Sequence, residues 1–198
     1  PKRTIERLLR GIHILTEMKN FSSEPGGDPW PLGTRVRGVA VGLLARAIRP
    51  ESYPPSENEI TRHGWRLVQY RGARYWVDNH ISRDQYLGVM MGLGAVYDFV
   101  NDAGLRDLAK SSVCRLLDYL LANEWAAYDL EGNVTVSWQP HFAHQLAFLA
   151  VGKLVDPGRY DAAYRDHLPL VDLAWLAPWA NTIDTVKNEY FKFNLAAG

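Results

Sequence analysis

Between Arg83 and Ala122 the chain holds two strongly patterned helical segments with little more than Asn101-Asp102-Ala103-Gly104 between them. This pair restricts the possible folds more than any other feature, because so short a turn lays two helices antiparallel and side by side. The first helix is expected over Arg83–Val100, with Tyr86, Met90, Leu93 and Tyr97 as its apolar stripe. The second is expected over Leu105–Ala122, where Leu105, Leu108, Val113, Leu116, Leu117, Leu120 and Leu121 form a wide apolar face. Ser82-x-x-Gln85 has the form of a capping box at the start of the first helix, and Asp84 suits its positive end. Gly88 and Gly92 share one face and predict close approach by another helix.

The same pattern extends to either side. Ile5, Leu8, Leu9, Ile12 and Leu15 predict a helix over Thr4–Met18, and Val36, Val39, Leu43, Leu44 and Ala47 predict another over Thr34–Ile48. Between them, and again at Arg49–Glu59, the chain is rich in Pro, Gly and Ser and reads as loop. Trp65–Trp76 reads as a short hairpin with Gly72 near its tip, and Tyr128–Trp138 as a second around Gly132. A helix over Phe142–Val155 is expected to stop at Asp156-Pro157-Gly158, and another over Asp161–Leu176 to be interrupted near Pro169. The segment Asn181–Leu195 is expected to open a last helix near Asp184 or Asn188. The fold class is therefore all-α, built from helical hairpins with short β-hairpins in the loops, in one helical domain over residues 1–198.

Composition excludes several functions. Lys plus Arg and Asp plus Glu are 22 each, with no long basic run, which argues against nucleic acid and a polybasic membrane surface. No apolar run reaches the roughly 18 residues of a transmembrane helix. The single cysteine, Cys114, sits on a helical apolar stripe and reads as a buried thiol. A start at Pro1 fits a removed leader or an excerpt, which leaves the compartment open with export the favoured side. Phosphate-binding glycine loops and a nucleophile elbow are missing, and no cofactor is expected.

Three polar groupings remain. Asp78, His80, Arg83 and Asp84 crowd the entry to the Arg83 helix, where a cation opposes the helix dipole and needs an anion. Two carboxylates with an Arg and a His suit acid/base chemistry, if one carboxyl stays ionised and the other is raised. The alternative is a hydrogen-bonded loop lock. His141 and His144 stand at a helix start behind Trp138; without a Glu or Cys nearby they are poor metal ligands, and a ligand groove lined by Trp138 and His141 is the better functional reading. Asp184, Glu189 and Tyr190 make the third grouping, composed like a sugar site or an acidic first turn. Seven Trp and ten Tyr serve equally as core filler or as sugar platforms.

The run Trp76-Val-Asp-Asn-His-Ile-Ser-Arg-Asp-Gln-Tyr-Leu-Gly88, followed by helix, turn, helix and Asn123-Glu-Trp-Ala-Ala-Tyr-Asp-Leu-Glu-Gly-Asn-Val-Thr135, resembles bacterial proteins of the six-hairpin glycosidase-like class. Asn188-Glu-Tyr-Phe-Lys-Phe-Asn-Leu195 looks like a later inner helix of the same class. The resemblance implies an (α/α) toroid acting on polysaccharide as hydrolase or lyase, with Asp78, Arg83 and Asp84 at the central rim. Taken with the polar groupings above, the expected catalytic candidates are Asp78, Asp84 and Glu189, and the expected glycan contacts are His80, Arg83, Trp76, Trp138, His141 and Tyr190. The chain supplies about half of the hairpins such a toroid needs. A second chain or a further segment is therefore expected to complete it. A non-catalytic helical scaffold in an extracellular assembly is the competing expectation.

Overall fold

Six helices and five short strands make up the described part of the chain, which in this computed structural model comprises residues 2–17, 42, 44–70, 72–78, 80–129, 133–139 and 141–174. In chain order they are α1 (Lys2–Glu17), β1 (Ala47–Pro50), α2 (Glu57–His63), β2 (Arg66–Tyr70), β3 (Ala73–Asp78), α3 (Arg83–Phe99), α4 (Ala103–Ala122), β4 (Ala126–Tyr128), β5 (Val134–Ser137), α5 (Phe142–Val155) and α6 (Pro157–Ala174). The protein is mostly helical, with one three-stranded and one two-stranded antiparallel sheet.

Local chemistry sets most of these boundaries. At α3 the Gln85 side chain reaches back, and its Oε1 accepts from the Ser82 amide at 3.1 Å and the Ser82 hydroxyl at 2.9 Å. At α4 the Asp102 carboxylate accepts from the Leu105 amide at 3.1 Å. Lys2 pairs with the same carboxylate at 2.5 Å, so one side chain both caps α4 and anchors the start of α1. That hydrogen bond from Lys2, with the Leu105 amide behind it, holds Asp102 below the usual carboxylate range. α4 is the central helix. It packs against α1, α3 and α5, and its Val113, Leu116, Leu117 and Leu120 are fully buried. Each such side chain contributes about 1.5–3 kcal/mol through removal from water.

Several expectations are corrected. Ala47 and Ile48 are not the end of a helix; they begin β1, which pairs with β3 in the register Ala47↔Asp78, Ile48↔Val77 and Arg49↔Trp76. β3 already pairs with β2 on its other edge, and its remaining backbone groups recruit the four residues of β1. Arg49 fixes this strand, donating to Glu59 at 2.6 Å while its guanidinium lies 4.7 Å from the Trp65 ring centre. Glu59 belongs to α2, a short helix inside what composition reads as loop. Ser56 caps it in a capping box with Glu59, and Gly64, with φ 63°, closes it. Arg49 and Ser56 together hold the Glu59 carboxyl down at about 2.

α5 stops at Val155 as expected, but the junction is the single residue Asp156, and the next helix begins at Pro157 rather than Asp161. Pro157 starts α6, where its fixed φ and missing amide proton suit a first turn. α6 then continues through Pro169, which lies on the exposed side where water can take the released carbonyl. The glycines that admit a neighbouring element are Gly94 and Gly152 rather than Gly88 and Gly92. A Cβ on Gly152 would lie 2.4 Å from Leu117 Cδ2, and one on Gly94 would lie 3.2 Å from Val151 Cγ1. At Gly88 and Gly92 an added Cβ meets no described atom within 4 Å.

Candidate functional site

The β3–α3 junction is built from backbone outward. Asp78 is the last residue of β3 and only 4 % exposed. Its Oδ1 accepts from the His80 amide at 3.0 Å, the short-range bond that turns the chain out of the strand. Its carbonyl accepts from the Arg46 amide at 2.8 Å, and its Oδ2 lies 4.0 Å from Arg46 Nε. Asp78 is thus engaged on both oxygens and on its backbone in holding β1 to the entry of α3. His80 is exposed, its ring resting over Gly64, where an added Cβ would lie 3.3 Å from Nε2. Trp76 is half-buried in the central strand between Leu67 and Arg49.

A second set of contacts brings distant segments together. Tyr86, in the first turns of α3, meets Trp138, just before α5, edge to face at 4.9 Å between ring centres. The Trp138 carbonyl accepts from the His141 amide at 2.8 Å, and His141 is the N-cap residue of α5. The N-terminal ends of α3 and α5 therefore meet at this aromatic pair. Each end carries the positive pole of its helix. Arg83 and Asp84 occupy the first turn of α3, both half-buried.

The electrostatics of that end are distinctive. Burial pushes His141 down to about 4, with the Arg83 charge and neighbouring His144 adding to the depression. The two imidazole rings are 5.7 Å apart. Burial also lowers Arg83, which remains a cation. At neutral pH this end of the molecule therefore presents a guanidinium beside an uncharged imidazole.

This depression predicts an acid sensitivity. The folded state keeps His141 neutral down to about 4, whereas the unfolded chain takes up the proton near 6.5. The associated stability is present above about 6.5 and is lost as pH falls towards about 4. The shift corresponds to at most about 3 kcal/mol. Solvent screening at a half-exposed ring reduces this to about 1–2 kcal/mol. Urea midpoints measured across this window should fall less in His141→Gln than in the parent chain. Equal slopes in the two proteins would contradict the assignment.

Trp138 requires a correction. It is 0 % exposed, between Tyr86 and Phe148, and presents no face to a groove. Its carbonyl is held by the Gln145 side chain, whose Nε2 donates at 2.6 Å. Trp138 is thus packed in the core, with its carbonyl holding the His141 amide. His144 is likewise buried, at 4 % exposure. Among the described residues no three His, Cys, Asp or Glu side chains are grouped as metal ligands. Glu189 and Tyr190, with Asp184 and Asn188, lie outside the described residues.

An open groove of about 440 Å³ adjoins the junction, between α1 and α3. Leu9 and Ile12 form one wall, Gly88, Gly92 and Val96 the other, and Arg46 and Gln85 supply polar groups. Neither Arg46 nor Gln145 stood out in the sequence. Arg46 belongs to a segment read as helical, and Gln145 gains meaning only from the Trp138 carbonyl it reaches.

The molecule so defined is a mainly helical protein with two small antiparallel sheets, with Arg83, Asp84 and His141 where α3 and α5 begin. No helix among the described residues is long and apolar enough to cross a membrane. No family model matches the sequence, and neither a curated protein nor a solved structure matches it.

Proposed function

We propose that this chain is a portion of a carbohydrate-active helical toroid that works on an acidic glycan, with Arg83 and His141 as its central pair. The observation that carries the proposal is the meeting of α3 and α5 at Tyr86 and Trp138, which sets a guanidinium and a neutral imidazole at two positive helix ends. In this proposal Arg83 binds a uronate carboxylate. His141 removes the proton from the carbon beside that carboxylate. The electron pair forms a carbon–carbon double bond as the glycosidic C–O bond one carbon further on breaks. The departing oxygen takes a proton from the imidazolium or from water. Carboxylate binding offsets the Arg83 charge, which raises the basicity of His141 when substrate is present.

Elimination is favoured over hydrolysis because hydrolysis needs two available carboxyls of opposed protonation. Asp78 is committed to the His80 amide and to Arg46. Asp84 and Glu189 keep an acid/base part only in the hydrolytic variant. His80, Trp76 and Tyr190 are proposed as contacts to flanking sugar units. The test is incubation with a panel of uronate-containing and neutral polysaccharides, following the ultraviolet absorbance of an unsaturated product. His141→Gln is expected to lower the rate by roughly 10²–10⁴-fold, with circular dichroism unchanged at neutral pH. No product from any polysaccharide would sink the proposal.

A scaffold reading is supported by one observation. From the groove wall outward along α3, Gly88, Gly92 and Ala95 are exposed together with Met91 at 48 % and Phe99 at 81 %. Such an uncharged helical stripe suits burial in an assembly. A chain that converts no glycan and sediments as a stable oligomer belongs to this second reading.

A further inference from the structure

The outward face of α3 is complementary to itself. Gly88, Gly92, Ala95 and Phe99 recur at helical spacing, which keeps them on one line along the helix. All four are exposed, Phe99 to 81 %. The line therefore carries an aromatic knob at one end and a dent at the other. The dent is Gly88, where an added Cβ meets no described atom within 4 Å, and it opens into the groove shared with α1. Leu8 of α1, 64 % exposed, lines the same groove. Gly88 and Phe99 are about 16 Å apart along the helix axis.

A second α3, laid antiparallel about a two-fold axis midway between Gly92 and Ala95, matches this line position by position. Gly88 faces the partner copy's Phe99, and Gly92 faces its Ala95. The smallest side chains then lie at the crossing point, where two helix axes can approach to the lower end of the usual range of about 8–10 Å. Each Phe99 enters the other copy's groove beside Gly88. Between Gly88 and Phe99 the only charged residue is Asp98. In this register the two Asp98 residues are about 13 Å apart along the axis, so like charges are not brought together.

The geometry points to a homodimer in which two copies of this chain pack α3 against α3, each Phe99 seated in the other's α1–α3 groove. A second copy is the occupant because one surface supplies both halves of the fit, as a two-fold contact requires. A knob and a dent on different faces would build an open fibre. Here both lie on one face of one helix, so the contact closes at two copies. A single helix face against a single groove is smaller than the roughly 1,200–2,000 Å² of stable complexes, which makes this a weak, reversible dimer. The dimer goes beyond the elimination reaction and does not require it. It gives the assembly reading a definite partner.

The full chain would be sedimented from about 1 to 200 μM, a range that brackets a dissociation constant on the order of 10 μM. Its mass is expected to rise from one copy to two and no further. Phe99→Ser is expected to weaken the dimer roughly 100-fold or more, because each dimer loses two anchors. Its thermal unfolding at the lowest concentration should match the parent, since the side chain is exposed in the single copy. Gly88→Phe fills the dent and should have the same effect. Gly88→Phe combined with Phe99→Gly exchanges knob and dent, and this double variant should dimerise again. A chain that stays monomeric throughout, or that dimerises undiminished as Phe99→Ser, overturns the inference. Growth beyond two copies also overturns it, as does a monomeric double variant whose circular dichroism matches the parent. Polysaccharide conversion by a monomeric chain leaves the elimination reaction standing and removes the dimer. A dimer without conversion does the reverse.

Discussion

Trp138→Ala is expected to destabilise the protein by about 3–5 kcal/mol. The indole is 0 % exposed and contacts Tyr86 from α3 and Phe148 from α5, with ring centres 4.9 and 5.6 Å away. Its backbone is fixed independently of the ring. The amide donates to the Trp125 carbonyl at 2.8 Å, and the carbonyl accepts from His141 and Gln145. The surrounding elements are therefore poorly placed to close over the cavity, and the cost should lie near the upper part of that range. Nε1 has no hydrogen-bond partner, so the loss is one of packing. Trp138→Phe should accordingly cost much less than Trp138→Ala. Urea unfolding with an unchanged slope is the measurement. A cost below about 1 kcal/mol for the alanine variant would return Trp138 to the groove that its sequence context suggests.

Gly42→Ala is expected to cost about 3 kcal/mol or more, because two penalties act together. Gly42 has φ 116°, outside the range an alanine readily adopts. A Cβ there would also lie 2.4 Å from the Arg115 carbonyl oxygen and 2.5 Å from Tyr119 Cβ. Neither contact is the flexible tip of a side chain, so α4 itself would have to move. Gly72→Ala separates the two effects. Gly72 has φ 81°, yet an added Cβ meets no described atom within 4 Å. It should show only the backbone part, about 1 kcal/mol. Equal losses at the two positions would mean that contact with α4 contributes nothing.

Legibility in the sequence followed the range of the interactions. α3, α4 and α5 were readable because their periodicity and end signals are local: Ser82 with Gln85, Asp102 ahead of Leu105, Val155 before Asp156-Pro157. Both hairpins were readable from alternation around a glycine. β1 was not, because Ala47–Pro50 has no strand pattern of its own and takes its form from the free edge of β3. α2 was hidden by a Pro- and Ser-rich context, although Ser56-x-x-Glu59 and Gly64 spell its two ends.

The candidate site divides along the same line. Residue type made Asp78 and Trp138 attractive, but burial and partners are long-range properties. The His80 amide with Arg46, and Tyr86 with Phe148, give those two residues structural work. The proximity of Arg83 to His141 depends on how α3 meets α5 and has no signature along the chain. Arg83 stood out because a cation in a first turn is locally unfavourable, and that kind of conflict is the one sign of a site that sequence can display.

The anchoring of α1 has a consequence for biosynthesis. Its partners, Asp102 and the face of α4, lie roughly a hundred residues downstream. At a synthesis rate of about 5–20 residues per second, the ribosome delivers α4 on the order of 5–20 s after α1 has emerged. For that interval Ile5, Leu9 and Ile12 lack the α4 face against which α1 packs in the folded chain. The Lys2–Asp102 pair, and with it the seat of α1, therefore forms only after Asp102 has left the exit tunnel.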